Sequence, residues 1–295
     1  MEIKYMRDDT EDSFGIKALQ DKILEIVIYI DEFCKKHEIK YFLMGGSALG
    51  AMRHGGFIPW DDDLDIFMDY SNYHKFEECC EKYLDKDKFY FQKGNTEELP
   101  YFFSKIRMNG TTCIESVNSN RPKMHQGIFV DIMCLNNAAP AGWHRKIQFY
   151  SAALLKASAL TKTAYSTNDK KKAKQLTLAK TIVKGPIKRF LLYQVERYNK
   201  KETNEVAHVF GRAKYKNSFY PSTDFAFQRY VSFEKVKLPV PNGVEDYLSI
   251  RYGRDYMKMP SEETKAIYTS HAMLWNVDRD FREIMTEQNK GDVLK

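Results

Sequence analysis

Residues 41–68 read YFLMGGSALGAMRHGGFIPWDDDLDIFM. An apolar run ends in Gly45-Gly46-Ser47, carboxylates crowd at Asp61, Asp62, Asp63 and Asp65, and a second apolar run closes the stretch. A small-residue turn can present backbone N–H groups to a phosphate. Aspartates two apart on a strand share a face, and a face of hard oxygens suits Mg²⁺ or Mn²⁺. The stretch points to metal-assisted phosphoryl chemistry on a nucleotide-like substrate. Tyr41–Met44 reads as a short buried strand, Ser47–His54 as a short helix and Leu64–Met68 as a second strand. Asp63 and Asp65 then flank an inward Leu64. Asp61 joins them if the strand extends that far, and Asp62 points away or lies in the preceding turn after Pro59.

Upstream, apolar residues at Ile16, Leu19, Ile23, Ile26, Val27, Ile30 and Phe33 have helical spacing over residues 15–38. Downstream, Ser71 is the expected cap of a helix over residues 72–84. Strand-like runs follow at Phe89–Gln92, Phe102–Met108 and Thr111–Glu115. Asn109-Gly110 between the last two is a hairpin signal. The run GIFVDIMCL, residues 127–135, is a further strand with Asp131 at its centre. An aspartate inside an apolar strand is costly to bury unpaired. A shared cation would offset that cost and hold the carboxylates ionised.

A chain of 295 residues can bury a sizeable core and form one or two domains. No apolar run reaches the roughly 18 residues of a membrane span. The polar, acidic N-terminus does not read as a secretory signal. The five cysteines (Cys34, Cys79, Cys80, Cys113, Cys134) show no metal-ligand spacing, so they read as reduced thiols and zinc is not expected. The formal charge of +6 hides an asymmetry: residues 141–201 hold 15 Lys/Arg against Asp169 and Glu196, a local +13 that leaves −7 elsewhere. Such a segment is either a solvated helical surface or a contact for an anionic membrane or phosphate-bearing acceptor.

That basic segment reads as helical. Trp143, Ile147, Tyr150 and Leu154 fall on one face and are expected to be core. Gly185-Pro186 breaks the run, and Pro186 suits the first position of the next helix. Lys237–Pro241 reads as extended, Asp246–Tyr252 as a helix capped by Gly253, and residues 287–295 as a frayed end. The expected class is α+β, a mixed sheet with flanking helices and a basic helical insertion. The divisions are a catalytic core over 1–140, a basic helical region over 141–228 and a segment over 229–295 that closes the cleft.

With the GGS turn, the D-x-D at Asp63 and Asp65 and the strand aspartate Asp131, the chain resembles the nucleotidyltransferase superfamily. More narrowly, GGSALGAMRHGGFIPWDDDLDIFM, GIFVDIMCL and the later LPVPNGVEDYLSIRYGRDYMKMP resemble the LicD family of phosphocholine transferases, to which fukutin-related ribitol-phosphate transferases are similar. The resemblance covers about residues 25–135 and 230–275 and leaves the basic helical stretch unmatched. It implies transfer of a phosphate-bearing head group from CDP-choline or another CDP-alcohol to a sugar hydroxyl of a surface glycan or teichoic acid precursor, with CMP leaving. Carried onto this chain, Asp63 and Asp65 would hold Mg²⁺ (or Mn²⁺), with Asp61 as an added ligand. Asp131 would be the third carboxylate, as ligand or base. Gly45, Gly46 and Ser47 would hold the donor's phosphates.

Around this set stand supporting candidates, each with an ordinary alternative. Arg53 and His54 are candidates for the donor, or an ion pair and a packed ring. Trp60 could stack on a base, box a quaternary ammonium or simply pack. Lys105 and Arg107 alternate on one strand, facing either the pyrophosphate or solvent. Arg251, within the group Tyr247, Arg251, Tyr252 and Gly253, is a phosphate or acceptor ligand or part of a packing motif. His125, Gln126 and His271 are weaker candidates. Two other functions stay open: a nucleotidyltransferase moving a nucleoside monophosphate from an NTP, and a non-catalytic basic scaffold. The expected setting is cytoplasmic, peripheral at the inner membrane face through residues 141–201, with a lipid-linked glycan as one form of acceptor and no nucleic-acid partner.

Overall fold

The computed structural model describes residues 14–119, 123–261 and 271–293, with Asp12, Arg121, Glu263 and Lys265 besides; side chains are described as far as Glu287. The N-terminal residues read above for a targeting signal, 1–11, lie outside the described residues. The architecture is α+β, built on a mixed sheet.

Helix α1 (Lys17–Lys36) buries Leu19, Ile23, Ile26, Val27, Ile30 and Phe33, the stripe its spacing predicts. Strand β1 (Phe42–Leu43) leads directly into α2 (Gly45–His54), two residues earlier than expected, with Gly45 at φ 52° and Gly46 already in the helix. Strand β2 (Asp65–Asp69) starts at Asp65, so Asp61–Leu64 form an irregular approach rather than an extension of the strand. The cap of α3 (Tyr70–Tyr83) is Asp69 and not Ser71: its carboxylate accepts from Asn72 N–H at 2.9 Å, and a carboxylate suits the helix dipole.

Strands β3 (Phe89–Gln92), β4 (Ser104–Met108), β5 (Thr112–Glu115) and β6 (Phe129–Asn137) follow. The sheet order is β1-β2-β6-β4-β3, with β2 parallel to β6 and the other pairs antiparallel. The turn at Asn109-Gly110 exists, with Gly110 at φ 72°, but it does not make the expected hairpin. Both edges of β4 are taken by β3 and β6, so β5 leaves the sheet and pairs with β11 (Ala272–Asn276).

Helices α4 (Trp143–Leu160), α5 (Lys170–Ile182) and α6 (Gly185–Glu196) make the basic segment, and Pro186 sits in the first turn of α6. Ala152, Leu155, Ala179, Leu191 and Val195 join Ala138, Ala207 and Phe219 in a second core beside the main one. Of the stripe expected to be core, Leu154 packs against the second core, but Trp143, Ile147 and Tyr150 are exposed. Strands β7 (Glu205–Ala207) and β8 (Phe219–Pro221) extend the sheet from β6. A hairpin of β9 (Gln228–Phe233) and β10 (Val236–Pro241) precedes α7 (Val244–Tyr252). The last helix, α8 (Phe281–Val293), holds helical backbone through most of the stretch expected to fray. The cysteines are free thiols, and among the described residues no helix is long and apolar enough to cross a membrane.

His125 is a satisfied interior histidine. Its Nδ1 accepts from Gly127 N–H at 3.1 Å, its Nε2 lies 3.0 Å from Asn109 Oδ1, and its ring stacks on Tyr90. Only the neutral ring suits this pairing. Burial, helped by Arg107, pushes its pKa down to about 4. The folded value lies below the unfolded one of about 6.5, so the contribution is complete above that pH and is lost as pH falls toward 4. Urea midpoints should therefore drop between pH 7 and pH 5 in the parent chain and drop less in His125→Phe; parallel pH profiles would refute the assignment.

Candidate active site

The floor of the site is one row of paired residues running across four strands. Asp65 on β2 pairs with Asp131 on β6, Asp131 with Lys105 on β4, and Lys105 with Gln92 on β3. Laterally paired residues project to the same face, with strands about 4.8 Å apart. The register is fixed next door, where Asp131 N–H donates to Leu64 O at 3.0 Å and Leu64 is fully buried. Two carboxylates from separate parts of the chain are thus side by side with an ammonium beside them.

That ammonium is deeply committed. Lys105 Nζ lies 2.8 Å from Asp131 Oδ1 and 3.3 Å from Glu115 Oε1, and 3.3 Å from the centre of the Phe129 ring. Arg107 lies behind it and spends its donors on Glu115 at 3.1 Å, Gln92 Oε1 at 2.7 Å and Gly127 O at 2.7 Å. Asn118 adds a bond to Glu115. Asp131, Lys105, Glu115 and Arg107 thus form a buried chain of alternating charge. Burial alone would raise Glu115, but Lys105 and Arg107 outweigh it and hold its pKa below the usual value. Asp131 is instead pushed up to about 6, chiefly by burial, against the pull of Lys105. Lys105 reaches the carboxylate site; Arg107 serves the layer beneath.

The remaining aspartates arrive on the loop before β2. Gln20 of α1 holds this loop by donating to Ile58 O and Asp61 O. The Asp61 carboxylate lies against the first turn of α2, so close that a Cβ on Gly46 would come within 2.6 Å of Asp61 Oδ2. Asp62 turns away, accepting from Ala272 N–H at 2.8 Å and pairing with His271 at 3.1 Å. His271 also lies 3.3 Å from Asp63. Burial and mutual repulsion push Asp61 and Asp65 well above the usual carboxylate range, and burial raises Asp63 against His271.

The glycine-serine segment is partly engaged by the protein itself. Gly45 N–H donates to the Tyr247 hydroxyl at 2.8 Å, and Ser47 Oγ accepts from Asp65 N–H at 2.9 Å, tying α2 to β2. A Cβ on Gly45 would lie 3.6 Å from the Tyr252 hydroxyl and 3.8 Å from Asp65 Oδ2. The helix start, the carboxylates and the end of α7 therefore converge. Arg53 is buried and donates to His54 Nε2, Tyr256 O and Lys258 O, bracing the segment after α7. His54 lies edge-on to Trp60, over which Lys265 sits at 5.0 Å. Gln126 is turned toward Arg121 O and Met285.

A basic group completes the surroundings. Arg251 lies in the field of Tyr247, Tyr252 and Tyr220. It also acts on His208 and Lys156, which burial pushes down, Lys156 to about 8. Both ring nitrogens of buried His208 lack a partner. Exposed Arg212 acts on Asp63 and His271. Sequence reading missed Gln20, Glu115, Lys156, His208 and Arg212. Glu115, a charge in an apolar strand three residues before Asn118, carried the one usable signal; the others act only through long-range contacts.

Among the described residues no group of three or more His, Cys, Asp or Glu side chains is arranged to hold a metal ion. The donor set nevertheless suits the mode usual for Mg²⁺, in which one or two carboxylates share the ion with substrate phosphates. Crowded carboxylates with raised pKa values are what a cation would relieve.

A mixed sheet carrying paired aspartates beside a Gly-Gly-Ser helix start defines a nucleotidyltransferase-like enzyme fold. Residues 38–132 match the family described as LicD/FKTN/FKRP, nucleotidyltransferase domain. The lipopolysaccharide cholinephosphotransferase LicD of Haemophilus influenzae is 28% identical over 253 residues, covering 81% of this chain and 90% of that protein. The ribitol 5-phosphate transferase FKRP of Homo sapiens is 61% identical over 28 residues, 10% of this chain and 6% of that one. An uncharacterized protein of Rickettsia prowazekii, RP689, is 46% identical over 52 residues, 18% of this chain and 19% of that one.

Removing the buried ammonium tests the charge chain. Lys105→Met leaves Asp131 and Glu115 short of a counter-charge and should cost about 3–5 kcal/mol in urea unfolding at neutral pH. Lys88→Met, at an exposed pair with Asp85, should change stability by less than about 1 kcal/mol. Equal losses would show that Lys105 is not the counter-ion described.

Proposed function

We propose that this phosphotransferase moves phosphocholine, or a related alditol phosphate, from a CDP-activated donor to a hydroxyl of a surface glycan or teichoic acid precursor, releasing CMP. The carrying observation is the row Asp65–Asp131–Lys105 beside the start of α2. The names of the relatives from Haemophilus influenzae and Homo sapiens point to the same kind of head group. In this reading residues 1–140 are the catalytic core, 141–228 the basic helical region and 229–295 the segment that closes the cleft.

The acceptor oxygen attacks the phosphorus bearing the head group, a new P–O bond forms, and the bond to CMP breaks. The hydroxyl proton passes to a carboxylate. Asp131, raised to about 6 by burial, suits that role near neutral pH, where a base should be ionised yet able to take a proton. Lys105 keeps Asp131 paired and oriented. Asp63 and Asp65, with Asp61 alongside, would hold Mg²⁺ or Mn²⁺. The ion would neutralise charge on the transferring phosphate. On the other side of Tyr252, Arg251, Lys156 and Arg212 offer positive charge to the donor's phosphates, with the N–H groups of Gly46 and Ser47 in the α2 first turn. CDP-alcohol donors put the reaction in the cytoplasm.

The test is CMP release from CDP-choline, CDP-ribitol and CDP-glycerol with Mg²⁺ or Mn²⁺, read beside pyrophosphate release from NTPs. CMP from one CDP-alcohol supports the proposal; pyrophosphate alone would replace it with nucleotidyl transfer. Asp65→Asn and Asp131→Asn should each lower CMP release by at least about 100-fold. Asp65→Asn should also raise the unfolding midpoint, since it relieves repulsion among carboxylates whose pKa values are already raised. Retained activity in either variant would remove the proposed chemistry from this row.

A further inference from the structure

The basic helical region carries an outer surface that its own core does not use. Along α4, Trp143, Ile147 and Tyr150 are exposed, Trp143 by 64% and Tyr150 by 59%. Along α6, Ile187, Phe190 and Tyr193 are exposed, Phe190 by 60%. The spacings i, i+4, i+7 and i, i+3, i+6 put each set on one side of its helix. The inward sides are already spent: Ala152 and Leu155 of α4 pack with Leu191 and Val195 of α6 in the second core. Gln148 of α4 donates to Val195 O, while Lys162 just past α4 acts on Lys188 near the start of α6, so the two helices lie antiparallel and adjacent.

Large exposed apolar side chains on a well-packed helix pair have a partner elsewhere. Charge selects its kind. Residues 141–201 carry +13, and neither stripe includes an acid. Lys146 lies beside Trp143 and Ile147, and Arg189 beside Phe190. Aromatic and aliphatic tips between lysines and arginines make the composition of helices that lie in a membrane interface, with rings at headgroup depth and cations toward lipid phosphates. Such helices rest on a bilayer without crossing it, and neither α4 nor the shorter α6 is long and apolar enough to cross one.

We infer that the α4–α6 outer surface docks this protein on an anionic lipid bilayer, with Trp143, Tyr150, Phe190 and Tyr193 entering the interface. This surface goes beyond the reaction proposed above and is tested without it.

Full-length protein is sedimented with vesicles of phosphatidylcholine alone or mixed with phosphatidylglycerol. Binding to the mixed vesicles only, weakening as salt rises, is expected. The triple variant Trp143→Ser, Phe190→Ser, Tyr193→Ser and the pair Lys146→Glu, Arg189→Glu should each lose at least about tenfold in vesicle affinity. Both should keep the parent far-UV circular dichroism, because the altered side chains are exposed; if the triple variant fails to fold, Phe190→Ser alone carries the apolar arm. Three results would overturn the inference. One is absence of binding to either vesicle. Another is a parent dimer in sedimentation velocity that the triple variant abolishes, which makes the surface a contact between copies. The last is displacement from vesicles by single-stranded RNA through the same residues. CMP release plays no part in these readouts, so loss of docking and loss of the proposed reaction remain separate results.

Discussion

Everything at the site depends on the parallel pairing of β2 with β6 that sets Asp65 beside Asp131. Two carboxylates on neighbouring strands repel, and burial makes the repulsion worse. The fold answers on one side only. Lys105 pairs with Asp131, Glu115 with Lys105 and Arg107 with Glu115, so the charges beneath the floor alternate and cancel. Among the described residues no salt bridge is made to Asp65, which feels Lys105 and His271 only through space, and His271 reaches Asp63 from outside the sheet. The cleft therefore keeps an excess of negative charge that a folded protein would remove if stability alone decided its sequence.

The same floor needs the far end of the chain. Tyr247 receives the N–H of Gly45 some two hundred residues away, Ala272 and His271 hold Asp62, and the carbonyls of Tyr256 and Lys258 receive Arg53. Each contact joins a polar group near an aspartate to the C-terminal quarter. Strand β11 adds a mechanical link, since it pairs with β5, the strand that carries Glu115. The helix start, the carboxylate loop and the buried charge chain are thus all braced by residues after 240. The resemblance in LPVPNGVEDYLSIRYGRDYMKMP has a physical counterpart in this bracing.

Much of this was legible because it is periodic or local. The stripe of α1, the strand around Asp131, the first-turn proline of α6 and the outward turn of Asp62 follow from spacing and backbone preference. What failed was non-local or two-valued. The Asn109-Gly110 turn is real, yet whether its flanking strands pair depends on β3 and β6 having already taken both edges of β4. Lys105 and Arg107 do share a face, but alternation cannot tell a cation facing substrate from one neutralised below by Glu115. Helical spacing likewise reads the same for a stripe turned inward and one turned outward. That is why Trp143, Ile147 and Tyr150 looked like core; α4 does have a buried side, carried by smaller residues such as Ala152 and Ser151.

The polarity of the surroundings follows from the order of these elements. Negative charge collects where the loop before β2 meets β6. Positive charge collects where α4, the segment around His208 and the end of α7 meet, at Lys156, Arg212 and Arg251. Tyr252 lies between the two, in the fields of Asp61 and Asp65 on one side and Arg251 on the other. A neutral ligand would gain little from that arrangement. A diphosphate gains from both sides, because its oxygens can meet the basic group directly and the acidic group through a shared cation. Lys156 sharpens the point: burial beside Arg251 lowers its pKa to about 8, so it stays mostly charged at neutral pH, and an arriving phosphate would favour that charged form further. The basic middle region, which sequence alone left unmatched to any family, thus supplies one wall of the cleft as well as an outer face.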